Sequence, residues 1–158
     1  MKKRDVRVLI HDIRSTHNVG SIFRTSDTVG VNKIYISGYS PTPKDKYSRA
    51  RKDIAKVALG AEETIPWEYL KSPLTTIKSL KKEGFEVVGL EQNKKSIDYK
   101  KYKSNDKLLF IVGNEVLGMD AKLISTCDKI IEIPMLGKKE SLNVSVAFGV
   151  SIFRILGI

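Results

Sequence analysis

Short apolar runs and helix-periodic stretches take turns along the chain. Residues 6–10 read as a first strand. Val19, Ile22, Phe23, Ser26 and Val29 then recur at helical spacing and give one core-facing stripe, with Asn18 as the expected N-cap and Gly30 as the stop. Residues 33–37 read as a second strand, and residues 41–58 as a polar, basic, irregular segment with room for a short helical turn. Ser72-Pro73 predicts a helix start, Leu74, Ile77 and Leu80 its face, and Gly84 its end. Further strands are expected at residues 85–90, 108–112 and 129–133. Asp120 caps a helix between the last two, carrying Leu123, Ile124 and Cys127, and a final helix runs from about Asn143 to Leu156.

Strands alternating with helices indicate an α/β fold, a parallel sheet covered on both faces. Ligands of such sheets bind beyond the carboxyl ends of the strands, which directs attention to the loops after Val112 and Ile133. The final helix is apolar around its whole circumference, from Val144 through Phe148 to Leu156. Such a helix is expected to be buried on all sides, either threaded through the interior or capped by a second subunit. Gly149 would allow close approach of a partner helix.

The chain has 158 residues, 41% of them hydrophobic, which suits one domain with a packed core and no metal or disulfide support. Cys127 is the only cysteine, so an internal disulfide is excluded and a reducing, cytoplasmic setting is expected. The basic start Met1-Lys2-Lys3-Arg4 is followed by too short an apolar stretch for a signal peptide, since Arg7 breaks it and His11-Asp12 ends it. The apolar run 144–153 is too short for a membrane span, so a soluble protein is expected.

Lysine and arginine total 28 against 18 acidic residues, a net charge of +10. That excess implies a polyanionic partner (RNA, DNA or an anionic membrane surface) unless it is only a solvated lysine-rich surface. The charge concentrates in residues 44–56 and 94–107, interleaved with Tyr47, Tyr99 and Tyr102, which suit stacked bases or serve as half-buried anchors.

Three segments carry candidate chemistry. The first is Asn18-Val19-Gly20-Ser21-Ile22-Phe23-Arg24-Thr25. In a helix beginning at Asn18, Arg24 leans back over Gly20, where the missing side chain leaves open space. A guanidinium, an amide and free N–H groups at a positive helix end make an anion site suited to an RNA phosphate, and the alternative is a capped helix with a solvent-facing arginine. The second is Gly113-Asn114-Glu115-Val116-Leu117-Gly118-Met119, after a buried strand. It lacks the lysine of a phosphate loop, and no Gly-x-Gly pair occurs in the chain. An ordinary turn with positive-φ glycines explains it except for Glu115. The third runs from Ile133-Pro134-Met135 through Gly137 to Ser141-Leu142-Asn143-Val144-Ser145, an irregular loop that leads into the apolar helix with Asn143 as cap.

In this order and at these spacings the three segments resemble the motifs of the SPOUT superfamily, in its SpoU/TrmH branch, over about residues 8–156. The resemblance implies a SpoU/TrmH-type methyltransferase domain over residues 1–158, with an α/β sheet, a C-terminal trefoil knot and a homodimer with sites near its interface. It implies transfer of a methyl group from S-adenosylmethionine to a ribose 2′-hydroxyl of tRNA or rRNA, without a metal. The matching catalytic set is Asn18, Arg24, Glu115, Ser141 and Asn143. The matching cofactor contacts, largely backbone, are Leu90, Gly113, Ile133 and Leu142, with Met135 close by. Arg24 would either activate the hydroxyl or, since a guanidinium is a poor base, hold the phosphate and stabilise the alkoxide, with Asn18 and Glu115 orienting it.

Larger relatives carry an additional RNA-binding domain, whereas here the first strand starts near Val6, so the stretch 44–56 is the expected RNA grip. Trp67 is either a stacking platform or a buried aromatic. His11 and His17 read as structural, and Cys127 as core. Two other functions fit parts of the pattern. A non-catalytic RNA-binding module explains the charge but not Glu115, Ser141 and Asn143, and a base-methylating SPOUT enzyme shares the fold but not the Asn18–Arg24 motif.

Overall fold

Burial is deepest where the sequence is most continuously apolar. The structure, a computed structural model, describes residues 3–158, so Met1 and Lys2 of the basic N-terminus lie outside the described residues. In chain order the elements are β1 (Asp5–His11), α1 (Thr16–Thr28), β2 (Lys33–Ser37), α2 (Lys52–Ala58), α3 (Ala61–Thr64), β3 (Trp67–Leu70) and α4 (Pro73–Lys82). Then come β4 (Glu86–Leu90), β5 (Ile97–Asp98), β6 (Lys107–Val112), α5 (Ala121–Thr126), β7 (Lys129–Glu132) and α6 (Val144–Leu156). The seven strands make one sheet in the order β3-β2-β1-β6-β4-β7-β5, every pair parallel.

Side chains alternate across the sheet, so each strand feeds two cores. Val8, Ile10, Leu108, Phe110 and Val112 point into the layer that holds α1, α2 and α6. Leu9, Leu109 and Ile111 point to the opposite layer, where α4 and α5 bring Ile77, Leu80 and Leu123. Central β6 has water on neither face, which is why it reads as an unbroken apolar run.

The edges depart from expectation. The sequence reading had five strands; β3 and β5 are the additions, short edge elements with polar residues and little periodicity to betray them. Residues 52–58 form a seven-residue helix within the segment expected to be irregular. Leu74 is 39% exposed and is not part of the α4 core face. Helix α1 begins before Asn18: Ser15 is its N-cap, and Ser15 Oγ accepts from Asn18 N–H at 3.1 Å.

Helix α6 bears on one of its two expected alternatives, a path through the interior. Phe148, Ser151, Ile152, Ile155 and Leu156 are buried against the sheet and α1, but Val146 is 51% and Val150 42% exposed. It lies on one face of the sheet and is not enclosed within its own chain. Tyr102 is an anchor, buried and donating to Glu86 Oε2 at 2.6 Å, and Tyr99 packs on the same core, so of the three tyrosines only Tyr47 is well exposed. Among the described residues no helix is long and apolar enough to cross a membrane.

Phe148 anchors α6. It is fully buried, with its ring 5.9 Å from that of Phe110 on β6. Phe148→Ala is expected to cost about 3–5 kcal/mol in urea unfolding; a loss below about 1 kcal/mol would show that α6 contributes little to the fold.

Candidate active site

Three strand ends meet at one cavity of about 280 Å³. Leu90 ends β4, Gly113 follows β6 and Ile133 follows β7, and all three line it. The loop from 133 to 143 covers it with Met135, Ser141 and Leu142, and the first turns of α6 add Val144 and Ala147. The five expected cofactor contacts therefore line the same space, joined by Glu115 and Ser141 of the expected catalytic set.

Close packing explains Gly113. A Cβ there would sit 2.6 Å from Met119 Cγ and 3.0 Å from Met119 N, so the glycine is needed for contact and not for an unusual φ. Gly118 alone of this loop's pair has positive φ, +68°. Glu91, one residue past β4, accepts from Met119 N–H at 2.8 Å and ties the loop to the neighbouring strand. Asn114 holds the turn itself: its Oδ1 accepts from the N–H groups of Val116 and Leu117 at 2.9 and 2.7 Å. Its Nδ2 donates to Asp12 O and to the Tyr39 hydroxyl.

Glu115 then points at the start of α1. Its carboxylate accepts from Arg14 N–H at 3.2 Å, Ser15 N–H at 3.1 Å and Asn18 Nδ2 at 3.2 Å. Burial works to raise its carboxyl, but hydrogen bonds from its own backbone and from Ser15, Asn18 and Arg14 outweigh this and hold it below the usual carboxylate range. Asn18 Oδ1 in turn accepts from Asn143 Nδ2 at 3.1 Å. Asn143 Oδ1 caps α6, accepting from Ser145 N–H at 2.9 Å, Ser145 Oγ at 2.6 Å and Val146 N–H at 3.3 Å. The chain Glu115–Asn18–Asn143 thus joins all three sequence segments behind the cavity wall.

This arrangement corrects two expectations. The positive end of α1 is not open to an RNA phosphate, because Glu115 already occupies it. Nor is there open space at Gly20, where a Cβ would lie 2.9 Å from both Ile54 O and Val57 Cβ of α2. Arg24 stands apart from the cluster: it is exposed, and its guanidinium makes no hydrogen bond or ion pair among the described residues, with Asn18 and Glu115 included. Ser141 lines the cavity and is exposed.

Sequence reasoning missed Arg14, Ser15, Glu91 and the structural part of Asn114. Only Asn114 left a readable signal, an amide beside a glycine at a turn. His11 is held at the end of β1 by Ser37 Oγ, 2.7 Å from Nδ1, while Nε2 lies 3.3 Å from Asp12; His17 is exposed. Burial pushes the Cys127 thiol up to about 11, which leaves it a poor nucleophile near neutrality.

The SpoU rRNA Methylase family pattern matches residues 5–153 of this chain. A TrmH-family protein of Staphylococcus aureus (strain COL) is 36% identical over 149 residues, covering 94% of this chain and 57% of that protein. The 23S rRNA (guanosine-2′-O-)-methyltransferase RlmB of Neisseria meningitidis serogroup B is 33% identical over 142 residues, covering 90% of this chain and 54% of that protein. The chain therefore spans a little over half the length of these curated relatives. Among solved structures, the SpoU methyltransferase AviRb of Streptomyces viridochromogenes, crystallised with AdoMet, superposes with a TM-score of 0.85 at 21% identity, over 98% of this chain and 60% of that one, a likeness of fold.

The lowered Glu115 carboxyl has a pH signature. Its stabilising contribution is present above the ordinary value of 4.5 and is lost as pH falls through the lower folded value. Glu115→Gln is expected to cost about 1 kcal/mol near neutral pH, since the group is partly screened by solvent. Urea unfolding of both proteins across the acid range should show the gap closing at low pH. A gap of equal size at all pH values would mean that the carboxylate charge is not what the site uses.

Proposed function

The chain belongs to the SpoU rRNA Methylase family, and on that premise we propose that it is an RNA methyltransferase, moving a methyl group from S-adenosylmethionine to a ribose 2′-hydroxyl of tRNA or rRNA. The observation that carries this reading is the hydrogen-bonded chain Glu115–Asn18–Asn143 standing behind a cavity at the ends of β4, β6 and β7. The relative RlmB, a guanosine-2′-O-methyltransferase by name, supports the ribose as acceptor.

The cavity suits S-adenosylmethionine on its own chemistry. Leu90, Ile133, Met135, Leu142 and Ala147 offer an apolar lining for an adenine, while Glu91, Glu132 and Glu140 lie on the same wall, where a cation is favoured. Bound there, the cofactor supplies a methyl carbon made electrophilic by its sulfonium. Gly113, Ile133 and Leu142 would hold it by backbone groups. Glu115 acts through Asn18 and Asn143 to fix the α6 start against the cavity, and Ser141 and Asn143 would shape the place of the ribose. With three N–H donors on its carboxylate, Glu115 is an anchor and not a base. Transfer would break the methyl–sulfur bond, leaving a neutral thioether, as the ribose C–O bond forms and the hydroxyl proton passes to solvent.

Arg24 fits this reading through a second copy of the chain. The exposed residues Val146 and Val150 run along α6, whose first turns line the cavity, and α1 packs beside it, with Thr25 Cγ2 3.9 Å from where a Gly149 Cβ would be. In an isologous dimer built on this face, Arg24 of one subunit comes to the rim of the other's cavity. There its guanidinium would hold the phosphate beside the target ribose and stabilise the developing alkoxide. Residues 1–158 act as one SpoU/TrmH-type domain, with the segment from β7 to α6 as the trefoil knot and the cytoplasm as its setting.

Two outcomes follow. Incubated with S-adenosylmethionine and unmodified tRNA and rRNA, the protein should yield a 2′-O-methylnucleoside by mass spectrometry. Arg24→Ala should lower the yield about 100-fold or more while calorimetric cofactor binding persists. A methylated base would instead mark a base-methylating enzyme, and RNA binding with no methyl transfer in any variant would mark a binding module. Val150→Asp should shift the protein to monomer in light scattering and abolish methyl transfer; an active monomer would overturn the role given to the second copy.

A further inference from the structure

A second concavity opens on the other side of Glu115. It is a groove of about 590 Å³ lined by Arg14, Tyr39, Lys44, Arg51, Trp67 and Tyr69 among others. Arg51, just before α2, sits in its wall, and its Nε is buried with no hydrogen-bond partner among the described residues. The guanidinium also lacks an ion pair there. A guanidinium held in the groove wall without an acceptor or counter-charge of its own favours an anionic ligand, and its planar fork matches a phosphate. The one carboxylate of the groove does not neutralise it, because Asp45 is turned to its own loop, accepting from Tyr47 N–H, Arg49 N–H and Arg49 Nε.

Beside Arg51 lies an aromatic platform. Tyr39 is 51% exposed, and the Arg14 guanidinium stands 5.4 Å from its ring centre. Both members are wired to the candidate active site: Arg14 N–H donates to Glu115, and the Tyr39 hydroxyl accepts from Asn114 Nδ2 at 2.8 Å. Tyr69, 45% exposed, extends the wall and is fixed by its hydroxyl bond to Gly38 O at 2.8 Å. Cations alternating with open aromatic faces are the chemistry of single-stranded RNA recognition.

We propose that this groove carries the RNA strand next to the target nucleotide, with a backbone phosphate seated on Arg51 and a neighbouring base stacked on the Tyr39–Arg14 pair. The inference rests on the RNA methyltransferase reading. It adds to that reading the path by which the substrate is gripped, and it narrows the grip from the basic stretch 44–56 in general to one half-buried arginine and one tyrosine.

The test uses the full chain and a labelled single-stranded RNA of about 12 nucleotides, titrated by fluorescence anisotropy over a range of salt. Lys78→Ala, exposed on α4 across the sheet, controls for lost charge. Arg51→Ala should weaken binding about tenfold or more and lower the salt slope by about one ion, with Arg51→Lys recovering the slope but not the full affinity. Tyr39→Ala should weaken binding about tenfold with the slope unchanged, and Tyr39→Phe should bind as the parent does. Cofactor binding should persist in all of them, since Asn114 Nδ2 keeps its bond to Asp12 O when the Tyr39 hydroxyl is lost. Arg51→Ala and Tyr39→Ala behaving like Lys78→Ala would overturn the groove even if the parent methylates RNA. Loss of cofactor binding together with RNA binding would overturn it as well, by making these residues structural. If the parent binds RNA in a groove-dependent way yet transfers no methyl group, the groove stands and the methyltransferase reading fails.

Discussion

Asn18 is 6% exposed at the start of α1, and both ends of its amide are engaged across chain separations of 97 and 125 residues. An amide buried in this way must have both its donor and its acceptor satisfied, and a partner of the wrong polarity on either side would leave a buried group unpaired. The geometry leaves no freedom to exchange the two ends. Nδ2 faces a carboxylate that can only accept, and Oδ1 faces an Asn143 amine whose own oxygen is committed to the first turn of α6. The turn after β6 and the start of α6 are therefore set relative to one another by a residue that is not itself part of the cavity lining. The depressed Glu115 carboxyl and the register of the cavity wall both depend on that residue.

The floor of the cavity obeys a different constraint, close approach. Met119 is buried, and it presses on two backbones: a Cβ at Gly89 would come within 2.6 Å of its Cε, and one at Gly113 within 2.6 Å of its Cγ. Glycine at the end of two adjacent strands lets one methionine seal the sheet below the cavity while Glu91 takes its N–H. The wall that results is backbone and apolar surface. That suits a ligand recognised by main-chain groups, with the surrounding carboxylates left to favour positive charge.

What the sequence displayed depended on how far each feature lies from solvent. β6 was legible because its five residues after Lys107 are all apolar and buried, and β1 and β4 because their polar residues are few among buried apolar ones. β3 and β5 were not, since four and two residues at the sheet edges carry no periodic signal and are defined by pairing alone. The helix start at Thr16 was misplaced because Ser15 and Asn18 are both good caps, and only the position of Glu115, far along the chain, shows that Asn18 is used for something else. Motif residues could be named from spacing. That Gly20 is a packing contact and not a vacancy could not be, because its neighbour α2 lies in a stretch with no strong pattern.

Arg24 and α6 present the same problem from two sides. A motif arginine that stays exposed and outside the cavity is an odd catalytic residue, and a helix with Val146 and Val150 facing solvent is an odd surface helix. Leu136, Val116 and Leu117, each more than 80% exposed, extend the uncovered apolar area around the mouth of the cavity. One chain alone cannot relieve either oddity, since α6 is already packed on the sheet and α1 is already fixed by Asn18. The proposed second copy on this face would relieve both together: it would remove the apolar surface from water and carry a cation to the rim of a site whose own lining includes carboxylates. Under the proposed dimer, the separation of Arg24 from Glu115 is what a site completed from two chains would require, and burial of the valines would drive its assembly.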